Sequence, residues 1–212
     1  MIKVKCEQGS PEWHALKAGV ASASNFDRIV TASGRPSTQA DAYLYELVAE
    51  YITGERKPSK ASYWMERGID MEPQARAMYE LATGNTVEQV GFVFRDKKKL
   101  IGISPDGLVG SKGCEIKCPS PIIHLSYLLQ EVCPKDYLPQ VQGSMWITGL
   151  YEWDFMSFHP DYDPLIVTIE RDKEWMAVFD KLLPPFIKNL EEVRKSDRVQ
   201  GLLQQRLTRE AA

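Results

Sequence analysis

Residue 84 divides the chain into two textures. Before it, apolar residues recur at helical spacing between polar caps; after it, short alternating runs rich in Val, Ile and Phe set in. Ser10-Pro11-Glu12-Trp13 opens a first helix with a capping serine, a proline at the first helical position and an acid at the positive end of the dipole. Gly19 stops it. Residues 20–23 read as a short extended segment, Ser24 as the cap of a helix through Val30, and 31–37 as a loop holding Gly34 and Pro36. Helical patterns over 41–53 and 63–82, closed by Gly54 and Gly84, flank a polar connector at 55–62. Strands are predicted over 86–95, 100–103, 108–109, 114–118, 153–158 and 165–170, with hairpin connections at 96–99 and 110–113. Helices return over 121–131, 137–148 and 172–195, where Pro184-Pro185 should kink or break the last. Residues after Ser196 read as polar and frayed, or engaged with a partner.

Helices first, a mostly antiparallel sheet in the middle and helices packing back make a single α/β (α+β) domain over 1–198, with a polar tail at 199–212. A content of 43% hydrophobic and 26% charged residues excludes bulk disorder. No apolar run approaches the roughly 20 residues that span a bilayer, and Met1-Ile2-Lys3-Val4-Lys5 lacks the apolar stretch of a signal peptide. No membrane and a cytoplasmic location are the expectation. Cys6, Cys114, Cys118 and Cys133 show no paired framework, and a zinc set of Cys114 and Cys118 with Cys133 or His124 lacks the usual spacing. A net charge of -3 neither argues for a polyanionic partner nor excludes one, because phosphate affinity follows local patches.

The chemistry-bearing stretch is Ser104-Pro105-Asp106-Gly107 followed by Cys114-Glu115-Ile116-Lys117-Cys118. In a strand, Glu115 and Lys117 face one way and Cys114, Ile116 and Cys118 the other. Asp106 sits in a Pro-Asp-Gly turn, and the hairpin after it returns the chain beside it. Two carboxylates and an ammonium then converge on one volume. That volume suits Mg²⁺, which prefers hard oxygen ligands and keeps several waters, and it suits phosphodiester hydrolysis. The plain alternative is a surface turn beside an exposed strand ion pair.

Pro105-Asp106 … Glu115-Ile116-Lys117 resembles the PD-(D/E)XK nuclease signature, whose fold is restriction-endonuclease-like, a central mixed sheet flanked by helices. More of the chain resembles one branch, the lambda exonuclease (YqaJ-like viral recombinase) family. The resembling pieces run in order over about residues 10–190: Glu12-Trp13-His14-Ala15-Leu16-Lys17-Ala18-Gly19 through Ser24, Gly68-Ile69-Asp70-Met71-Glu72-Pro73, Ser104-Pro105-Asp106-Gly107-Leu108, Glu115-Ile116-Lys117-Cys118-Pro119, Gln140-Val141-Gln142-Gly143-Ser144-Met145-Trp146 and Ile169-Glu170-Arg171-Asp172.

The resemblance implies that Asp106, Glu115 and the Ile116 carbonyl ligate one or two Mg²⁺ ions, with Mn²⁺ as a substitute, and that Lys117 is the catalytic lysine. Glu72 matches the helix glutamate near the metals, and Gln140 the glutamine supporting the site. Taken as plain sequence, Glu72 is also a rim glutamate paired with Arg76 at i+4, and Gln140 a helix-surface amide. Lys17, Ser24 and Ser104 match a 5′-phosphate pocket. Lysine stands at 17 where arginine is expected, keeping the charge but losing the bidentate fork. Met65 matches an apolar wedge that splays the terminal base pair, or is a core methionine. Apart from the resemblance, Arg35 in the Gly34-containing loop is a candidate to reach a DNA groove. Lys97-Lys98-Lys99 reads as a solvated hairpin tip, and Trp13, Trp64, Trp146, Trp153 and Trp175 as mainly core. The implied activity is 5′-to-3′ digestion of duplex DNA from a 5′-phosphorylated end by a ring-shaped homotrimer. It releases mononucleotides, leaves a 3′ strand, and works with a single-strand annealing protein in a phage or prophage setting. An endonuclease or RecB-like module of the same superfamily, and a non-catalytic DNA-end-binding protein, are the rival readings.

Overall fold

The computed structural model describes residues 1–56 and 63–210, with the side chains of 63–66, 69 and 210 outside the described set. Most of the expected connector at 55–62 therefore lies outside the described residues. Strand β1 (Ile2–Val4), helix α1 (Pro11–Lys17) and strand β2 (Ala21–Ser22) lead into a 3-10 turn (Ala23–Arg28) and helices α2 (Ala40–Thr53) and α3 (Tyr63–Thr83). Strands β3 (Phe92–Phe94), β4 (Ile101–Ile103), β5 (Gly107–Val109) and β6 (Lys112–Lys117) follow. After them come α4 (Pro121–Gln130), a 3-10 turn (Lys135–Tyr137), α5 (Leu138–Thr148), β7 (Glu152–Ser157), β8 (Leu165–Glu170), α6 (Lys173–Lys195) and α7 (Asp197–Glu210).

The fold is mixed α/β, with helices flanking two four-stranded sheets ordered β1-β3-β4-β2 and β5-β6-β7-β8. In each sheet one pair is parallel, β2 with β4 and β6 with β7, and the other two are antiparallel, so each sheet is mixed and, as expected, mostly antiparallel. A parallel pair needs a long crossover, and α4 and α5 supply it between β6 and β7. The predicted 86–95 strand is divided between the sheets. Glu88 bridges Leu108 of β5, while the Gly91 N–H already reaches Val4 of β1, so only Phe92–Phe94 forms a regular strand. Gly91 is needed there, because a Cβ would meet Cys6 Sγ at 2.3 Å.

A large core lies among α2, α5, α6 and the first sheet, built on Phe26, Leu47, Met145, Trp146, Phe179 and Leu183. A second, of Ala75, Tyr79, Cys114, Ile116, Met156 and Phe158, fills the space between α3 and the second sheet. Pro184-Pro185 does not break α6: the helix runs on through Lys195, with Leu183 and Phe186 both buried against the core. Nor are the described residues after Ser196 frayed. Helix α7 buries Val199 and donates from Arg206 Nη1 to the Ile52 carbonyl of α2 at 3.1 Å, which ties it to the body. Among the described residues, no helix is long and apolar enough to cross a membrane.

Candidate active site

Asp106 follows β4 and precedes β5, in the short link that joins the two sheets. The β5–β6 hairpin turns at Gly110, whose φ of 58° suits a residue without a Cβ, and pairs Gly107 with Cys114. That register brings β6 back beside Asp106, and the Ile116 N–H donates to Asp106 Oδ2 at 2.6 Å. Alternation along β6 then sends Cys114 and Ile116 into the second core and Glu115 and Lys117 into a cleft of about 220 Å³.

Inside the cleft, Lys117 Nζ lies 2.5 Å from Glu115 Oε1. Gln140, from the first turn of α5, donates its Nε2–H to the same Glu115 oxygen at 2.6 Å and offers its Oε1 to Lys117 Nζ at 3.5 Å. One amide thus ties acid to lysine. Burial pushes the Asp106 carboxyl well above the usual range, and the charges of Glu115 and Glu72 push it the same way. Burial alone would lower the Lys117 ammonium, but Glu115 and Asp106 raise it overall, so it stays charged.

Lys17, Ser24 and Ser104 line the same cleft. Topology brings the serines together. In the parallel β2–β4 pair Ser22 stands opposite Gly102, so two residues further along both strands the chain reaches Ser24 and Ser104 at the same edge. Ser24 does not cap an α-helix: β2 runs to Ser22, a 3-10 turn starts at Ala23, and the Ser24 hydroxyl meets Ser22 Oγ at 3.1 Å. Gly143 completes the approach, since a Cβ there would meet the Phe26 ring at 2.4 Å, and its absence lets α5 pack on the turn carrying Ser24. Lys17 is 7% exposed and its ammonium sits 3.7 Å above the Trp13 ring. Burial, followed by the charge of Arg56, lowers its pKa to about 7.

Glu72 is in an ion pair with Arg76 at 2.5 Å, and its charge still acts on Asp106. The ion pair is the one its plain sequence reading gives, and Glu72 does not line the cleft. Met65 lies in α3, with its side chain outside the described ones. Arg35 is exposed in a turn closed by Thr31 and does not line the cleft. His124 is committed to Ser157 Oγ at 2.7 Å and the Asp163 carbonyl at 3.1 Å, and Cys114 is buried in the core. Neither stands as a zinc ligand. Trp13, read from sequence as core, instead lines the cleft, as do Gln8, Ser22 and Ser144. Gln8 donates to the carbonyls of Val90 and Pro105 and so braces the residue before Asp106. Nothing local in the sequence marks it, since its partners lie 82 and 97 residues away.

Among the described residues, no three His, Cys, Asp or Glu side chains are gathered as a metal cage. Asp106 and Glu115 alone suit a hard cation that takes one or two carboxylates and fills its remaining positions with water and substrate oxygens. The burial and the neighbouring Glu115 charge that raise Asp106 are the electrostatic demand such an ion meets.

A family model, the YqaJ-like viral recombinase domain, matches residues 12–151. The chain belongs to that family. Its fold is similar to an alkaline exonuclease, LHK-Exo, from Laribacter hongkongensis, with a TM-score of 0.77 and 29% identity over 96% of this chain and 100% of the other. The same enzyme in complex with dAMP matches with a TM-score of 0.76 at 29% identity, with the same coverage of both chains. A phage-related exonuclease from Haemophilus somnus 129PT shares the fold at 16% identity, with a TM-score of 0.60 over 82% of this chain and 94% of that one. An uncharacterised Escherichia coli K12 protein, ExoD, is 38% identical over 69 residues, which span 29% of this chain and 75% of ExoD. In this YqaJ-like chain the expected PD-(D/E)XK core is therefore present, as two mixed sheets with Asp106 in the link between them and Glu115 and Lys117 on β6.

Proposed function

We propose that this YqaJ-like protein is a Mg²⁺-dependent exonuclease that degrades duplex DNA 5′ to 3′ from phosphorylated ends. One observation carries the reading: Lys17, Ser24 and Ser104, a phosphate-binding set, share one small cleft with Asp106, Glu115, Lys117 and Gln140, a hydrolytic set. A terminal phosphate held at one end puts the next phosphodiester within reach of the other. Repeating that step releases mononucleotides and leaves a 3′ strand. Asp106, Glu115 and the Ile116 carbonyl hold the metal, which when bound activates water and stabilises the leaving oxygen. Lys117, kept charged by the two acids, orients the attacking water and offsets charge on the phosphorane-like transition state. Gln140 fixes Glu115 and Lys117 relative to each other. The similarity to LHK-Exo supports exonuclease rather than endonuclease action. The same reading includes a homotrimeric ring around the duplex, a single-strand annealing partner and a cytoplasmic phage or prophage setting.

Linear and covalently closed duplex, incubated with the protein in Mg²⁺ or EDTA, test it. Linear DNA carrying 5′-phosphates is digested in Mg²⁺ and spared in EDTA; the closed circle is spared in both. Cleavage of the circle makes the protein an endonuclease. Survival of every substrate, with linear ends still bound, makes it an end-binding protein without catalysis.

A further inference from the structure

The phosphate end of the cleft turns on a residue that contacts both of its arms. Trp13 Nε1–H points between two acceptors, Ser104 Oγ at 2.8 Å and the Gly91 carbonyl at 3.0 Å. Ser104 spends its own hydrogen on that same carbonyl, at 2.8 Å. A serine in this state has no hydrogen to offer an anion. Turning its hydrogen toward the cleft would normally strip Gly91 of its donor, and a carbonyl left bare inside protein is costly. Here it does not, because the indole hydrogen already lies within bonding distance of both oxygens. The ring face, meanwhile, carries the Lys17 ammonium at 3.7 Å, a cation that is almost fully buried.

We infer that Trp13 is a positioning residue for recognition of the 5′-phosphate: its N–H keeps the Gly91 carbonyl satisfied while Ser104 swings its hydrogen to the phosphate, and its ring holds Lys17 over the same spot. This rests on the phosphate reading of the cleft. The exchange gives up one hydrogen bond inside the protein, from Ser104 to Gly91, gains one to the phosphate, and leaves no group without a partner. In the free state Gly91 accepts from Trp13 and Ser104. In the bound state Gly91 accepts from Trp13 alone, and the Ser104 hydroxyl donates to a phosphate oxygen while still accepting from the indole. Sequence proximity explains half of the device, since Trp13 and Lys17 are four apart on α1 and share a face. The other half is tertiary, because Gly91 and Ser104 flank β3 and β4 and are brought to the indole only by the folding of the first sheet.

The test is a double-mutant cycle read as a ratio. For each protein, kcat/KM is measured on linear duplex with a 5′-phosphate and with a 5′-hydroxyl, and the ratio gives the phosphate preference. Trp13→Phe keeps an aromatic face for Lys17 and removes the N–H; it should lower the preference about tenfold, mostly through KM. Ser104→Ala should lower it by a similar factor. Combined, the two should cost little more than either alone, because without the serine hydroxyl there is nothing for the indole to release. Multiplying effects in the double variant overturn the inference, and so does a Trp13→Phe protein that loses both rates equally, which marks a merely structural role. Should Trp13→Phe fold poorly, benzothienylalanine incorporated at position 13 keeps the bicyclic shape without the hydrogen and is subject to the same two outcomes. A parent protein with no phosphate preference overturns the phosphate reading itself, together with this one. A parent with a preference that neither position-13 variant lowers overturns this inference alone.

Discussion

At one end of the cleft Lys117 lies 2.5 Å from a buried carboxylate; at the other, Lys17 rests on an indole ring, and no carboxylate among the described residues comes within ion-pair distance of it. Both ammoniums are held inside the protein, yet burial wins at Lys17 and loses at Lys117. The difference is one of completeness. The acid end is a closed set of partners: Asp106 bonds to the Ile116 N–H, Glu115 to Lys117 and Gln140. The phosphate end is an open set, with a cation short of an anion and a serine whose hydrogen is parked on a carbonyl. In charge, two carboxylates against one ammonium leave the acid end short of a cation, and the phosphate end is short of an anion.

The largest effect expected from this contrast is at the acid end. Lys117→Ala removes the charge that faces the developing negative charge, and should cut digestion of linear duplex by about 10³-fold, within the range for a positioned acid–base group. Because the phosphate end is untouched, binding of a 5′-phosphorylated duplex in EDTA, followed by fluorescence anisotropy, should hold. A Lys117→Ala protein that digests DNA like its parent would remove the catalytic assignment. Gln140→Leu is the sharper probe. It deletes the short hydrogen bond to Glu115 and the longer one from Lys117 but leaves the Glu115–Lys117 pair standing, so about a tenfold loss is expected, equivalent to roughly 1.4 kcal/mol. Steady-state digestion rates check it: a loss as deep as that of Lys117→Ala would mean that Gln140 itself handles the reacting water.

The same contrast explains how much could be read from sequence. The acid end was legible because it is nearly local. Alternation along one strand divides Glu115 and Lys117 from Cys114 and Ile116, and a Pro-Asp-Gly link beside a glycine hairpin returns Asp106 to them. The phosphate end comes from segments some eighty residues apart, joined by the parallel β2–β4 pair. A two-residue strand such as β2 has no periodicity to detect, so Lys17, Ser24 and Ser104 could be connected only through family resemblance. The role of Trp13 was hidden for the same reason: a tryptophan near an apolar helix face reads as core until its N–H is seen to find Ser104 and Gly91. Helix ends were read well where glycine closes them, as at Gly54 and Gly84, both with positive φ. The polar composition of α7 misled, because the helix settles along α2 with little apolar burial, helped by a side-chain bond from Arg206 to a backbone carbonyl.

The smallest expected effect is a pH slope that should appear at the phosphate end alone. Lys17 titrates at about 7 in the free protein, so below that pH it is already charged and binds an anion without taking up a proton. Above it, the free protein holds a neutral amine, and binding phosphate in the charged form requires proton uptake. Preference for a 5′-phosphate over a 5′-hydroxyl end, measured by anisotropy in EDTA, should therefore fall as pH rises from 7 to 9, by no more than about tenfold per unit. The ligand adds no slope of its own there, because the second ionisation of a phosphate monoester, near pH 6, is largely complete. Lys17→Arg should flatten the profile, since a guanidinium keeps its charge throughout. A slope that survives in Lys17→Arg would assign the titration to another group, and a flat profile in the parent would mean that Lys17 keeps its proton despite its burial, as Lys117 does.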